Sequence, residues 1–186
     1  MLFSEDITFL MVPGLREHVP EHWQTHLQTE LPRAACVEPL KENKLSCAAR
    51  VEALNDTLAA IEGPVIIVAH SAGVMITVHW AQRYQRPIHG ALLAAPADVE
   101  EPMPAGYPTL EQLSSRGWAP IPIAPLPFPS ILAASRNDPL ARFEKARQMA
   151  VAWGSRLVDL GEVGHLNPAA GFGPWPGAKP LLQQLI

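Results

Sequence analysis

Apolar residues in this chain fall into short unbroken runs that alternate with stretches of helical spacing. Residues 7–12 form the first run and read as a buried strand, closed by Pro13-Gly14. Trp23, Leu27 and Leu31 then recur every four residues, which predicts a helix over 21–31 that Pro32 stops. A short strand follows at 35–38. Ser46 is placed to N-cap a helix through residue 61, with Val51, Leu54, Leu58 and Ile61 on one stripe and Gly63-Pro64 as terminator. Residues 65–70 begin with five consecutive apolar positions and no alternation, the mark of a strand covered on both faces. Residues 72–83 carry few polar interruptions and predict a buried helix, followed by a strand at 88–95.

The regular rhythm fails between Pro102 and Pro129, where eight prolines leave room for a single short helix near 109–116. It resumes with a strand at 130–135, a helix at 140–153 and a last strand at 156–160. Leu181, Leu182 and Leu185 suggest a closing helix after Pro176. Strands alternating with helices throughout predict an α/β fold with a parallel sheet covered on both faces.

Composition narrows the function classes. A chain of 186 residues favours one domain, and 48% hydrophobic residues supply a real core. A formal net charge of −4 gives no electrostatic footprint for nucleic acid or for an anionic membrane. No apolar run approaches the ~18–20 residues of a membrane helix. The start, Met1-Leu2-Phe3-Ser4-Glu5-Asp6, is acidic where a secretory signal is basic, so a cytoplasmic location is expected. Cys36 and Cys47 form no CxxC pair and read as small buried or half-buried residues.

The chemistry concentrates at Ala69-His70-Ser71-Ala72-Gly73, where a buried strand runs into a serine and a helix begins at once. A nucleophile elbow needs that context, with small residues two positions either side because strand and helix approach closely. Gly73 meets the demand, and Ala69 is one methyl larger than the usual glycine. A serine nucleophile needs a base and the base needs an orienting acid, in the chain order serine, acid, histidine. Asp138 follows the strand at 130–135 and His165 follows the strand at 156–160. Asp98, after the strand at 88–95, competes for the acid's place. Two backbone N–H donors should complete an oxyanion hole: Ala72, next to the nucleophile, and one from the loop Val12-Pro13-Gly14-Leu15, where Leu15 is the expected donor and Pro13 has no N–H to offer.

Together with these segments, Val12-Pro13-Gly14, Ala95-Pro96-Ala97-Asp98, Ser135-Arg136-Asn137-Asp138-Pro139, Gly164-His165-Leu166-Asn167 and Gly171-Phe172-Gly173-Pro174-Trp175-Pro176 resemble the small serine hydrolases related to retinoblastoma-binding protein 9. The resemblance spans nearly the whole chain. It implies a compact α/β-hydrolase fold, a three-layer sandwich with a mainly parallel sheet of about six strands. Length and the clustered prolines together predict one domain over 1–186, with a proline-rich, lid-like insertion at about 100–129. The resemblance also implies a Ser-Asp-His triad matching Ser71, Asp138 and His165, and esterase or amidase chemistry; cleavage of a small-molecule acyl ester is the first expectation, with no cofactor or metal required. An aminopeptidase-like activity, or a non-enzymatic interaction module, are the alternatives. A pocket-protein partner is not implied, because such binding uses L-x-C-x-E and Leu45-Ser46-Cys47-Ala48-Ala49 lacks the acid.

Other candidates read more plainly. Ser71 would merely N-cap a helix, and His165 merely cap a loop carbonyl, if the triad were absent. His70 is expected to pack or hydrogen-bond beside the nucleophile. His18, His22 and His26 recur every four residues, but His22-Trp23-Gln24-Thr25-His26 lacks the glutamate of a zinc protease helix, which leaves a solvated or partly packed face. Trp23, Trp80 and Trp153 are expected in the core. Trp118, Phe128 and Trp175 flank the site, and about one of them should line it.

Overall fold

The computed structural model describes Phe3 and residues 6–186. Met1, Leu2, Ser4 and Glu5, which carry part of the acidic start, lie outside the described residues. Six strands make one sheet in the order β2-β1-β3-β4-β5-β6: β1 Thr8–Val12, β2 Ala34–Cys36, β3 Val65–His70, β4 Gly90–Ala94, β5 Ser130–Ala134 and β6 Arg156–Asp159. Every pairing is parallel, so the sheet is wholly rather than mainly so.

The unbroken apolar runs are explained by burial on two sides. Leu10 and Val12, Ile67 and Ala69, and Leu93 face one apolar cluster. Phe9 and Met11, Ile66 and Val68, and Leu92 alternate with them into the other. The first cluster packs under α2 (Cys47–Ala59), α3 (Ala72–Arg83) and α5 (Phe143–Trp153). The second packs under α1 (Trp23–Glu30) and α6 (Ala178–Gln183). The result is a three-layer α/β sandwich. Trp23, Trp80 and Trp153 are each buried in it, which at about 1.5–3 kcal/mol per large apolar side chain makes them principal contributors to stability.

Local chemistry sets the boundaries where they differ from the sequence reading. The first helix starts at Trp23, not at residue 21, because the His22 ring caps it by accepting from the Gln24 N–H. The fifth starts at Phe143, not at 140, because Asp138 turns the chain by accepting from the Leu140 N–H and keeps the segment before it a loop. Ser46 caps α2 as expected, its hydroxyl accepting from the Ala49 N–H. Within the proline-rich segment, α4 spans Leu110–Ser115 and is held by a Thr109–Gln112 capping box.

The strand order reverses direction of growth between β1 and β3, so their carboxyl ends leave a crevice, the usual ligand position in an open parallel sheet. The side chain of Gln24 ties those two ends together, donating to the Val68 and Val12 carbonyls at 2.9 and 3.3 Å. Among the described residues no helix is long and apolar enough to cross a membrane. Both thiols are unpaired, and burial pushes each up to about 11.

Candidate active site

Between the end of β3 at His70 and the start of α3 at Ala72, Ser71 is held at φ 58°, ψ −123°. For a non-glycine residue such a conformation costs on the order of 1–3 kcal/mol and persists only when its surroundings enforce it. They do so here. The Ser71 N–H donates to the Ala94 carbonyl at 3.1 Å, and its own carbonyl accepts from the Val74 N–H at 3.0 Å. A methyl group on Gly73 would stand 2.0 Å from the Val12 carbonyl oxygen, so that position admits only glycine. Ala69, larger than the usual glycine, is fully buried within the core. The Ser71 hydroxyl makes no capping bond to α3; its Oγ lies 2.8 Å from His165 Nε2.

His165 sits in the loop after β6, and its Nδ1 lies 2.9 Å from both carboxylate oxygens of Asp138. An ionised carboxylate can only accept, so Nδ1 carries the proton. The Nε2 lone pair is thereby turned toward Ser71 Oγ, whose hydroxyl donates. Asp138 is held by the Leu140 N–H, and both the imidazole and the carboxylate are buried. Asn137 ties the two loops together, because its Oδ1 accepts from the Gly164 N–H at 2.7 Å and from Ser135 Oγ at 3.0 Å. The structure thus brings Ser71, His165 and Asp138 into one hydrogen-bonded chain.

Asp98 takes no part in it. Its Oδ1 accepts from the Glu100 N–H and lies 4.0 Å from Lys145 Nζ, while its own N–H donates to the Leu140 carbonyl. It braces the turn that carries Asp138. Burial raises its pKa above the ordinary aspartate value.

Gly14 lies directly over the serine; a methyl group there would be 3.2 Å from Ser71 Cβ. Its carbonyl accepts from the Glu17 N–H at 2.9 Å. The peptide plane is rigid and trans, so fixing that carbonyl also fixes the Leu15 N–H on the opposite edge. Among the described residues neither this N–H nor that of Ala72, at the first turn of α3, has a hydrogen-bond partner.

Two histidines line up behind His165. His70 Nε2 lies 2.8 Å from the His165 carbonyl oxygen, which accepts only, so that nitrogen is protonated. The His70 ring packs 4.9 Å from that of His165 and 4.6 Å from that of His22. Burial, and then the charge of His165, pulls His70 well below its ordinary pKa and His22 to about 4. Both rings are neutral at pH 7. Of the expected solvated or partly packed face of His18, His22 and His26, His22 is the packed member: it is buried against His70 and caps α1 from outside the helix proper.

Sequence reasoning missed Gln24, Glu17 and Arg50. Arg50 carried a signal, since it falls on the same stripe as Cys47, Val51 and Leu54 and is buried with them. It pairs with Glu17 Oε1 at 3.0 Å and also donates to the Lys44 and Leu15 carbonyls. Gln24 had no such signal, because its partners are main-chain carbonyls of two distant strands.

A cavity of about 360 Å³ opens over Ser71. Met103, Tyr107, Leu113 and Trp118 of the proline-rich segment wall it, opposite Leu15 and Leu45. Of the three flanking aromatics Trp118 lines it, whereas Phe128 packs in the core and Trp175 lies edge-on to Trp23 at 4.9 Å. Among the described residues no group of three or more histidine, cysteine or acidic side chains is placed to hold a metal ion.

The chain matches the serine hydrolase family over residues 9–184. It is similar to the crystal structure of a putative YdeN-like hydrolase from Pectobacterium atrosepticum, with 35% identity and a TM-score of 0.83 over 97% of this chain and 91% of that one. The ydeN gene product of B. subtilis shares the fold at 16% identity and a TM-score of 0.72, covering 97% and 98% of the two chains. An N-formylmaleamic acid deformylase from Pseudomonas putida does so at 15% and 0.71, covering 94% and 91%. No curated protein matches the chain. A match across nearly the full length, with an α/β-hydrolase sheet beneath it, establishes that this chain belongs to the serine hydrolase family.

Proposed function

We propose that the protein hydrolyses small acyl esters through Ser71, His165 and Asp138. The observation that carries this reading is the relay itself: Ser71 Oγ, His165 Nε2 and Nδ1, and the Asp138 carboxylate stand 2.8 and 2.9 Å apart at the floor of a cavity. Ser71 Oγ attacks the acyl carbon while His165 Nε2 takes its proton. Asp138 stabilises the imidazolium that forms. The Leu15 and Ala72 N–H groups receive the oxyanion. When the tetrahedral intermediate collapses, Nε2 returns the proton to the leaving oxygen, and water repeats the sequence on the acyl-enzyme. The resemblance to hydrolases related to retinoblastoma-binding protein 9 supports this assignment of roles.

Esters of short acids suit the cavity, because about 360 Å³ closed by the proline-rich segment leaves little length for a long acyl chain. An aminopeptidase needs a free carboxylate to bind the substrate's ammonium group. Among the described residues one carboxylate lines the cavity, that of Glu17, and it is engaged by Arg50, Lys44 and the Leu40 N–H. A pure interaction module would need no buried acid–histidine–serine chain. Labelling with a fluorophosphonate tests the reading. Wild type should label and Ser71→Ala should not, and p-nitrophenyl acetate or butyrate should be turned over faster than the palmitate. Folded wild-type protein that neither labels nor hydrolyses any of them would overturn it.

A further inference from the structure

We infer that the substrate of this site carries an anionic group, a carboxylate or phosphate, a few atoms from the scissile carbonyl, and that Arg16 is its anchor. The inference rests on the hydrolase reading above and names the substrate class that reading leaves open.

The charge lining the cavity is lopsided. Arg16, Lys44 and Arg50 reach it, and among the described residues Glu17 is the single carboxylate that does. Glu17 is already committed. Its Oε1 lies 3.0 Å from Arg50 and accepts from the Leu40 N–H, and its Oε2 lies 3.7 Å from Lys44 Nζ. Arg50 is buried and committed to this pairing and to two carbonyls. Arg16 differs from both other cations, because among the described residues no carboxylate and no hydrogen-bond acceptor engages its guanidinium. Its contact is the Tyr107 ring, with Cζ 5.7 Å from the centroid. His22 and His70, which also line the cavity, are neutral at pH 7, so its positive charge comes from these basic side chains and not from the two rings.

Position makes the excess charge functional. Arg16 directly follows Leu15, whose N–H is the proposed oxyanion donor, and it lines the same cavity as Ser71. Tyr107 belongs to the proline-rich segment, and the Arg16–Tyr107 contact therefore bridges the two sides of the cavity mouth. The inner wall of Met103, Leu113 and Trp118 is apolar. A ligand that fits both regions has a short apolar body and an anionic end directed at the mouth. Fixed positive charge in an apolar-walled cleft concentrates anions there, and it does so here in a protein whose net charge is −4. A planar guanidinium held over a ring also presents its free edge for a bidentate bond to carboxylate or phosphate.

The test compares matched substrates that differ in one charge. On the leaving-group side the pair is 4-acetoxybenzoate and its methyl ester, with phenyl acetate 4-phosphate as the phosphate counterpart. On the acyl side it is mono-p-nitrophenyl glutarate and p-nitrophenyl valerate, with the rate of Ser71→Ala subtracted as the spontaneous background. In at least one pair the anionic member should have a kcat/KM about tenfold higher at low ionic strength, the size expected of one charge-assisted bond. Added salt should shrink that preference, because Arg16 is exposed. Arg16→Gln should cut the anionic-to-neutral ratio severalfold, and Arg16→Lys should restore part of it. Equal or lower activity on the anionic members, or a preference that Arg16→Gln leaves intact, would overturn the inference while the hydrolase reading stood. Turnover of none of the esters would remove both.

Discussion

His70 and His165 are joined by a hydrogen bond between the ring of one and the main chain of the other: His70 Nε2 donates to the His165 carbonyl at 2.8 Å. The residue next to Ser71 therefore grips the backbone of His165. Nε2 must keep its proton for this, and burial keeps the ring neutral. His70→Phe would preserve the ring packing against His22 but leave the His165 carbonyl buried without a donor. A loss of about 1–3 kcal/mol in stability is expected. Because a small displacement of the imidazole spoils proton transfer, kcat should fall about 10–100-fold with KM little changed. Steady-state kinetics with a thermal melt would check this; a rise in KM alone would place His70 in binding instead.

Two neutral buried histidines also set the pH dependence of folding. The pKa of His22 falls from an ordinary 6.5 to about 4 in the fold, and that of His70 falls as well. Between those values the unfolded chain binds protons that the folded chain excludes. Stability is therefore complete above about pH 6.5 and declines as pH drops toward 4. His22 alone accounts for up to about 3 kcal/mol of that decline. Urea melts from pH 7 to 4.5 should show it, and His22→Gln should flatten the slope. An unchanged slope would mean that His22 is not the group responsible.

Arg50, which is buried, and Glu17, which is partly buried, form an ion pair that holds the loop over Ser71 in place. Arg50 donates to the Leu15 carbonyl, while the Glu17 N–H fixes the carbonyl of Gly14. Removing one partner strands the other charge, so Arg50→Met should cost about 3–5 kcal/mol. Where the variant remains folded, the Leu15 N–H loses its support, and a drop of about 10²-fold in kcat is expected, the lower end for loss of an oxyanion donor. Glu17→Gln keeps a hydrogen-bond acceptor and should be milder in both respects. Equal damage from the two variants would contradict this ordering.

How much of this was legible beforehand follows from where the information resides. Strand runs such as Val65–His70 and the elbow around Ser71 are local patterns, and the order of elements with their parallel pairing follows from them. The fit of Gly73 under the Val12 carbonyl could be anticipated as a small-residue requirement, though not as a 2.0 Å clash. The pairing of Glu17 with Arg50 and the span of Gln24 across β1 and β3 depend on which loops meet in space, and no spacing encodes that. His22 misled because its four-residue recurrence with His18 and His26 looked helical, whereas the helix begins one residue later. The proline-rich segment could be recognised as irregular, but its wall of Met103, Leu113 and Trp118 emerges only once it folds back over the sheet.

The competition between Asp138 and Asp98, open in the sequence, becomes a prediction with opposite outcomes for the two residues. Asp138 meets His165 Nδ1 at 2.9 Å through both oxygens, whereas the Asp98 carboxylate bonds the Glu100 N–H and faces Lys145. Asp138→Asn keeps the shape but places an amide against Nδ1. Whichever way that amide turns, no negative charge remains to stabilise the imidazolium, and an NH₂ facing Nδ1 would force the wrong tautomer. A fall in kcat of about 10⁴-fold is expected, with the fold retained. Asp98→Asn should lower activity only severalfold, because the turn toward Leu140 is also held by the Asp98 N–H, which the substitution leaves in place. Rates of p-nitrophenyl acetate hydrolysis and of fluorophosphonate labelling, measured on both variants beside wild type, decide the matter. Comparable losses from the two would mean that Asp98 shares the work of orienting His165 and that the relay extends one carboxylate further than the hydrogen bonds indicate.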